Sequence, residues 1–205
     1  MPDSKGALGR PLRVGKILGA GRCAANTPMP DCRAKAGTME REDVMAIQVG
    51  DRLPAVNLRQ LTADGIKEVS IAELTAGKKV VLFAVPGAFT PTCSDKHLPG
   101  FVEQAEAIRA KGVDAILCVA VNDPFVLSAW EKARNVEGRV RILSDGNAEF
   151  ARALGLDFDG SGFGLGTRSK RYAMVVEDGT VRTLLIDDAP PQAEKSSAAA
   201  ILATL

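Results

Sequence analysis

The chain has 205 residues, enough for one well-buried domain with little left over for a second. Apolar residues make up 46% and charged residues 25%, which are ordinary values for a globular protein. The formal net charge of +1 gives no electrostatic case for nucleic acid or an anionic membrane, and no apolar run approaches the roughly 18 residues of a membrane-spanning helix.

The chain begins with a basic leader. Its first 39 residues carry seven Lys or Arg and two acids, a net charge of +5, whereas the remainder is mildly acidic. The leader is poor in acids, as organelle transit peptides are, but Ser4 is its only serine. It also lacks the apolar periodicity of a packed element. We therefore favour an upstream extension, with the true start at Met39 or Met45, over a transit peptide.

This leader determines the expected domain organisation and location. Residues 1–44 are expected to be disordered or absent from the mature protein, and residues 45–205 to form the folded domain. The expected location is the cytoplasm, or an organelle if the leader is a transit peptide. Cys23 and Cys32 lie in the leader and are interpreted as incidental, because a cysteine becomes reactive only through its surroundings.

The first strong structural signal is an apolar, β-branched run over residues 78–85, which predicts a buried strand. A proline and a glycine at 86–87 end it. A helical stretch with one apolar face follows to about Lys111, where a glycine stops it. Pro99 is expected to kink or interrupt this helix near its first turns.

Two further strands follow, each with a helix after it. Residues 115–121 predict a second buried strand, and the Asn-Asp-Pro sequence at 122–124 predicts the start of a helix. Residues 140–143 predict a third strand. Asn147 is expected to cap a short helix that ends at Gly155.

The last part of the domain contains a loop, a hairpin and a helix. Residues 157–169 are rich in glycine and predict a loop. Residues 172–176 and 181–186 flank an Asp-Gly turn and predict a β-hairpin, and residues 196–205 predict a final helix with serine caps. This order predicts the α/β class: a single domain with a central mixed β-sheet flanked by helices, in a thioredoxin-like arrangement.

In that arrangement the turn after the first central strand is the reactive corner, and Cys93 lies in it. A cysteine in the first turn of a helix faces unpaired N–H groups and the positive end of the helix dipole, which favour the thiolate. The Thr90 hydroxyl is close enough in sequence to donate to, or accept from, an oxygen held against the sulfur. Pro86 and Pro91 stiffen the loop. A buried, inert cysteine is the alternative that this one residue leaves open.

The sequence around this cysteine resembles a known family. The segment PGAFTPTCS, followed by KHLPGF, resembles the peroxidatic motif of type II peroxiredoxins, whose core pattern is P-x-x-x-T-x-x-C. The resemblance continues through AVNDPFV, LSDGNAEF and GFGLGTRSKRYAMVVEDG to the Ser-Ser-Ala start of the last helix. It covers about residues 46–205 and favours a reactive cysteine over an inert one.

The resemblance assigns the site residues. Cys93 matches the peroxidatic cysteine, and Thr90 and Pro86 match the other motif positions around the peroxide. The family's active-site arginine, which precedes an aromatic residue at the head of a late strand, matches Arg171. A guanidinium there would stabilise the thiolate and align the peroxide oxygens. Arg168 is a second basic candidate, and a loop salt bridge is its alternative role.

The resemblance also implies the reaction, a thiol-specific peroxidase that reduces hydrogen peroxide and organic hydroperoxides. The Cys93 thiolate attacks a peroxide oxygen and becomes a sulfenic acid, and a second thiol restores it. No metal, flavin or haem is expected. The chain contains a single histidine and no Cys/His cluster with zinc spacing.

The second thiol has two possible sources, the chain itself and an external reductant. Cys118 follows Cys93 by 25 residues, where some type II members have a second cysteine, but its apolar run favours a structural role. No cysteine lies in residues 190–205, where other members carry a resolving thiol. The expected reductant is therefore external: glutathione, with or without glutaredoxin, or thioredoxin. The single-cysteine appearance of the domain favours glutathione.

Four other residues near the motif have open roles. His97, one turn after Cys93, would tune the thiolate or meet the reductant; a silent hydrogen-bonded role is favoured. Phe89, Phe125 and Phe163 would wall the pocket, form a dimer face or simply lie in the core. Type II peroxiredoxins often pair through the surface around their active-site loops, so the resemblance implies a homodimer.

Two other functions compete with the peroxidase. The same motif would serve a peroxide sensor or redox relay, in which Cys93 passes its oxidation to a partner protein. A general disulfide oxidoreductase is disfavoured, because Thr90 stands where the partner of a C-x-x-C pair would be.

Overall fold

A computed structural model describes residues 45–205, which form one α/β domain. The expectations for residues 1–44, including Cys23, Cys32 and a start at Met39, lie outside the described residues. No helix between residues 45 and 205 is long and apolar enough to cross a membrane.

Nine strands and six α-helices make up the described domain. The strands are β1 (Asn57–Thr62), β2 (Gly65–Ser70), β3 (Lys79–Val85), β4 (Ala115–Ala120), β5 (Arg141–Ser144), β6 (Asp157–Asp159), β7 (Thr167–Ser169), β8 (Tyr172–Glu177) and β9 (Thr180–Ile186). The helices are α1 (Ile71–Thr75), α2 (Leu98–Glu103), α3 (Ala105–Ala110), α4 (Pro124–Ala133), α5 (Glu149–Ala153) and α6 (Ala198–Leu202). A π-helical turn (Cys93–His97) precedes α2, and a 3₁₀ turn (Ser161–Phe163) separates β6 from β7.

Seven strands form one mixed sheet in the order β2-β1-β5-β4-β3-β8-β9. Strands β3, β4 and β5 are parallel, and their crossovers contain α2, α3 and α4. The other neighbours are antiparallel. The mixed sheet flanked by helices confirms the predicted fold class. It also brings the carboxyl ends of β3 and β4 to the same end of the sheet, which is where parallel sheets form their ligand sites.

The sheet is buried on both faces, as the continuous apolar runs of its central strands predict. Alternate residues of β3 divide between the two faces, with Phe83 on one and Leu82 on the other. The Phe83 face is covered by side chains of the helices after β3 and β4 and of α6: Leu98, Phe101, Ile108, Leu127, Trp130 and Ile201. The Leu82 face is covered by residues of α1, α5 and the chain around them: Ile71, Phe150, Leu154 and Leu156.

The helical stretch after β3 is interrupted, but not only where Pro99 predicts. The helix begins at Pro91, widens into the π turn and breaks again at Gln104, between α2 and α3. In the π turn the Leu98 N–H bonds to Cys93 O, five residues back. Pro99 has no N–H, and its ring conflicts with a carbonyl of the preceding α-turn, so a wider turn before it relieves that conflict.

Strands β4, β5, β8 and β9, helix α4 and the final helix lie where the sequence predicts them, with ends shifted by one or a few residues. The Asp123 carboxylate caps α4 by accepting from the N–H groups of Phe125 and Val126. The β8–β9 turn has positive φ at Asp178 and Gly179, as an Asp-Gly hairpin requires.

The prediction that Asn147 caps α5 is wrong. Asn147 does not cap this helix, since its side-chain amide instead donates to the Glu149 carboxylate. The Asp145 carboxylate takes the two free N–H groups, Phe150 N at 3.0 Å and Ala151 N at 2.9 Å. Ala148, whose backbone is in the left-handed conformation, lies between Asp145 and α5, so the N–H groups of the helix point back to this acid.

The loop predicted over residues 157–169 is the second correction, because its ends pair as β6 and β7. Glycines allow the tight return: Gly164 and Gly166 have positive φ, and a Cβ on Gly160 would lie 3.0 Å from Gly166 O. The β1–β2 hairpin and α1 were not predicted at all. The hairpin lies at the sheet edge and is mostly half-exposed, so the apolar alternation is weak there.

Candidate active site

Cys93 is fully buried at the edge where β3 ends. The chain leaves β3 through the buried Pro86 and Gly87 and enters the helix at Pro91, so Cys93 is its third residue. The first turn closes with Ser94 N–H donating to Thr90 O at 3.0 Å. The indole N–H of Trp130 donates to the Ser94 hydroxyl at 3.0 Å and fixes this turn against α4. The structure therefore places Cys93 in the corner after β3 where the sequence predicts it, and these hydrogen bonds hold the turn in place.

The Arg171 guanidinium contacts the sulfur. Arg171 precedes β8, whose Tyr172 pairs with Ala84 of β3, and this register brings Arg171 to the same edge as the end of β3. Its Nη2 donates to Cys93 Sγ at 3.2 Å, and the side chain is only 3% exposed. Nε and Nη2 also donate to Pro190 O, at 3.2 and 2.8 Å. A buried, fixed positive charge at this distance stabilises an anionic sulfur.

Thr90 faces the same corner in a defined orientation. Its hydroxyl donates to Gly87 O at 2.8 Å, so its proton is engaged and its oxygen keeps lone pairs with which to accept a hydrogen bond. Of the two roles left open by the sequence, accepting a hydrogen bond from a peroxide O–H is the one this orientation supports. Ala88 N–H donates to the Asn122 side-chain oxygen at 3.0 Å, which anchors the loop to the end of β4.

Pro86 and Arg168 lie at the start of the loop that leads from β3 to Cys93. Pro86 is buried directly after β3. Arg168 Nη1 donates to Val121 O at 2.7 Å and Nε donates to Leu165 O at 2.8 Å. A Cβ on Gly87 would lie 3.4 Å from Arg168 Nη1. Arg168 thus binds main-chain carbonyls beside the loop, where the alternative interpretation placed a salt bridge.

His97 is buried between Arg171 and the start of the last helix. Its Nδ1 lies 3.1 Å from Arg171 Nη1, and its Nε2 lies 2.9 Å from Ser196 O and 3.1 Å from the Ser196 hydroxyl. Burial lowers the pKa of His97 to about 4, with a further lowering by Arg171 that Ser196 and Asp187 only partly offset. The imidazole is therefore neutral at physiological pH.

Two residues of this network have no signal in the sequence. Ser196 Oγ donates to the Asp187 carboxylate, which also accepts from Glu194 N at 3.0 Å and Lys195 N at 2.9 Å. The sequence suggests only that the serines cap the last helix, and Ser197 does so. Ser196 meets His97, and Asp187 joins the network through Ser196, solely because the tertiary fold brings them together.

Cys118 lies inside the core. It pairs with Phe83 in the sheet and belongs to the same buried cluster as Cys93. Both sulfurs are free thiols. Burial raises the pKa of Cys118 well above that of an ordinary thiol, and the neighbouring Cys93 raises it further. Cys118 is buried, as the sequence predicts, and its thiol is protonated and unreactive in this conformation.

The three phenylalanines are not core residues. Phe89 is 53% exposed, Phe125 60% and Phe163 84%. Phe89 also has a φ of 60°, an uncommon conformation for a bulky residue, within the loop that carries Thr90. No cluster of three His, Cys, Asp or Glu side chains that would hold a metal occurs within residues 45–205.

Known proteins are similar to this chain in sequence and fold. Residues 48–202 match the Redoxin family. The chain is 55% identical over 150 residues to peroxiredoxin-2E-2, chloroplastic, of Oryza sativa subsp. japonica, covering 71% of this chain and 67% of that protein. It is 50% identical over 147 residues to peroxiredoxin-2E, chloroplastic, of Arabidopsis thaliana, covering 70% of this chain and 63% of that protein. The match thus spans about two thirds of either relative.

Among solved structures, reduced Prx3 from Vibrio vulnificus in complex with H2O2 superposes with a TM-score of 0.73 at 52% identity. The superposition covers 77% of this chain and 98% of the Vibrio protein.

Proposed function

The chain belongs to the redoxin family as a type II peroxiredoxin, a thiol peroxidase, and from this membership we propose that the sulfur of Cys93 is its reacting atom. Arg171 and Thr90 contact the peroxide in this proposal, and Pro86 shapes the pocket. The contact between Arg171 Nη2 and Cys93 Sγ carries the assignment, because it pairs the sulfur with a buried cation whose other hydrogen-bond partners within residues 45–205 are neutral acceptors.

The proposed reaction is a displacement at oxygen. The Cys93 thiolate attacks one peroxide oxygen, the S–O bond forms as the O–O bond breaks, and hydroxide or alkoxide leaves and takes up a proton. Arg171 stabilises the charge that moves across the O–O bond, and Thr90 accepts a hydrogen bond from the peroxide O–H. The sulfur is oxidised to sulfenic acid, and the leaving oxygen is released as water from H2O2 or as an alcohol from an organic hydroperoxide. Every electron comes from thiols, so the cycle needs no cofactor.

The deciding experiment compares two cysteine variants. Cys93→Ser removes the nucleophile, and we expect peroxide turnover to fall by roughly 1000-fold or more. Cys118→Ser is the matched control, since it alters one buried sulfur of the same cluster, and its turnover should stay within about 3-fold of the parent. Full turnover by Cys93→Ser would refute the site assignment.

The proposed reductant is external, with glutathione, alone or with glutaredoxin, ahead of thioredoxin. The burial and raised pKa of Cys118 support an external thiol, because a protonated thiol in the core is a poor partner for a sulfenic acid. A thiol attacks the sulfenic acid and releases water, and a second thiol then frees Cys93 and leaves as the disulfide. Steady-state turnover with each donor system distinguishes them, whereas a stable mixed disulfide with one protein would favour the relay function.

A homodimer is part of the proposal. The exposed Phe89 and Phe125 follow β3 and β4 at the active-site edge, and such side chains favour a covered surface. Sedimentation of the purified protein would give twice the chain mass if this holds, and a monomer at micromolar concentration would exclude it.

The cytoplasmic location expected from the sequence finds no support among the relatives. Two of them are named as chloroplastic, which favours the organellar alternative and a transit role for residues 1–44. Sequencing the mature N-terminus in the source cells tests this, since cleavage near residue 44 supports import and an intact leader contradicts it.

A further inference from the structure

We propose that His97, held by Ser196 and Asp187, is a positioning residue that fixes the Arg171 guanidinium against the Cys93 sulfur and the incoming peroxide. The inference rests on the peroxidase function proposed above and assigns a role within it. His97 touches neither the sulfur nor the proposed peroxide position through any contact found in the described residues, so its effect would pass through Arg171.

The guanidinium is held on two edges by different partners. On one edge, Nε and Nη2 share the Pro190 carbonyl. On the other edge, Nη1 meets His97 Nδ1 at 3.1 Å. A single carbonyl leaves the fork free to pivot, whereas a second acceptor on the far nitrogen fixes its plane. Nη2, which contacts Cys93 Sγ, lies between these two anchors.

The partners of the imidazole define its tautomer. Arginine has N–H donors and no acceptor, so His97 Nδ1 must accept from Arg171 with its lone pair. The single proton of the neutral ring then lies on Nε2, which donates to Ser196 O at 2.9 Å. Ser196 Oγ gives its own proton to Asp187, and this leaves its oxygen facing Nε2 as a second acceptor. The hydrogen bonds from Arg171 through His97 and Ser196 to Asp187 are therefore all made in only one arrangement of protons.

The surroundings keep the ring in place and neutral. The rings of Phe83 and Phe101 pack edge-on to His97, with centroids 5.1 and 5.5 Å away. The charged or titratable groups around His97 are Arg171 ahead of β8, Asp187 after β9 and Cys93 in the same π turn. A proton on Nδ1 would face the guanidinium and break the Arg171 contact, so positioning requires the neutral ring.

Two isosteric variants separate the two ends of the imidazole. The oxygen of His97→Asn occupies the place of Nδ1 and preserves an acceptor for Arg171. The amide nitrogen of His97→Gln reaches the place of Nε2 and preserves only the donor to Ser196. We expect His97→Gln to lower the rate constant for oxidation of Cys93 by H2O2 by about 10-fold or more, and His97→Asn by less than about 3-fold. Equal losses in the two variants would overturn the proposal.

A double-mutant cycle tests the route through Arg171. Arg171→Met removes the guanidinium, so adding His97→Gln to it should change the H2O2 rate constant by less than about 2-fold. A loss in the double variant as large as in the parent background would show that His97 acts independently of Arg171, which contradicts the proposal. If His97→Gln does not fold, Ser196→Ala replaces it: a loss that disappears in the Arg171→Met background supports the proposal, and an additive loss overturns it.

A readout independent of activity is the tautomer itself. His97 is the single histidine of the chain, so the ¹⁵N spectrum of ring-labelled protein contains one imidazole. We expect a protonated Nε2 and an unprotonated, hydrogen-bonded Nδ1, and Ser196→Ala should perturb both. The opposite tautomer would refute the positioning role. Failure of the parent protein to consume peroxide would instead reject the proposed function, which keeps the two outcomes distinct.

Discussion

At the scale of single residues, the site combines one buried cation with ionisable groups that burial keeps neutral. Arg171 reaches the Cys93 sulfur, while His97 and Cys118 are held in their uncharged forms. Because neither neutral group competes for the guanidinium charge, that charge is directed at the sulfur. The same burial makes the stability of the domain depend on pH.

His97 gives that dependence a definite sign. Its pKa falls from 6.5 in the unfolded chain to about 4 in the folded domain, so the unfolded state binds the proton more readily. The stabilisation from a neutral His97 is therefore complete above about pH 6.5 and is lost as the pH falls toward 4. Between about pH 7 and pH 5 the free energy of unfolding should drop by about 2 kcal/mol from this residue.

Urea unfolding at several pH values measures this effect. His97→Asn is the control, because it keeps an acceptor for Arg171 but does not titrate, so it removes this component while other carboxyl groups still contribute. Parallel pH dependence in the two proteins would contradict the shifted pKa of His97.

At the scale of elements, the position of α5 is fixed by a capping residue that lies outside the helix, Asp145. Asp145 follows β5 and accepts from two N–H groups of α5, so this acid joins a central strand to the helix on the opposite face from Cys93. Asn147 lies closer in sequence to the helix start but faces solvent.

Replacing the two residues by alanine separates their contributions. Asp145→Ala leaves two N–H groups of α5 without this acceptor and should lower the free energy of unfolding by about 1 to 3 kcal/mol. Asn147→Ala, the matched surface variant, should change it by less than about 0.5 kcal/mol. Denaturant unfolding at neutral pH measures both. A larger loss for Asn147→Ala would return the cap to the residue predicted from the sequence.

At the scale of the whole molecule, the sheet gives its two buried cysteines different positions. Cys93 lies in the turn that follows the carboxyl end of β3, whereas Cys118 lies within β4, with β3 on one side and β5 on the other. Exposure of Cys118 requires strands to separate, so its labelling should follow the global free energy of unfolding, of order 5–15 kcal/mol for such domains.

Thiol labelling with increasing urea tests this expectation. In a protein carrying Cys23→Ser, Cys32→Ser and Cys93→Ser, the remaining thiol should react with a small disulfide reagent only through the unfolding transition. Rapid labelling without denaturant would mean that β4 opens locally, and this would restore Cys118 as a candidate resolving thiol.

The sequence by itself determined the parts of this protein that depend on residues close to one another along the chain. The apolar runs of β3 and β4, the Asn-Asp-Pro start of α4 and the Asp-Gly turn before β9 are short-range patterns, and all were predicted correctly. The motif around Cys93 is equally local, which explains why the family was evident from the residues alone.

Only the tertiary structure decided which distant side chains meet that corner. Arg171 and Cys93 are 78 residues apart, and His97 and Ser196 are 99 apart. Family resemblance suggested the arginine, but nothing local indicated Ser196, Asp187 or the cap from Asp145. Hydrogen bonds between buried polar groups depend on which strands are neighbours and in what register, because burial makes each group require a partner wherever the sheet brings one within reach.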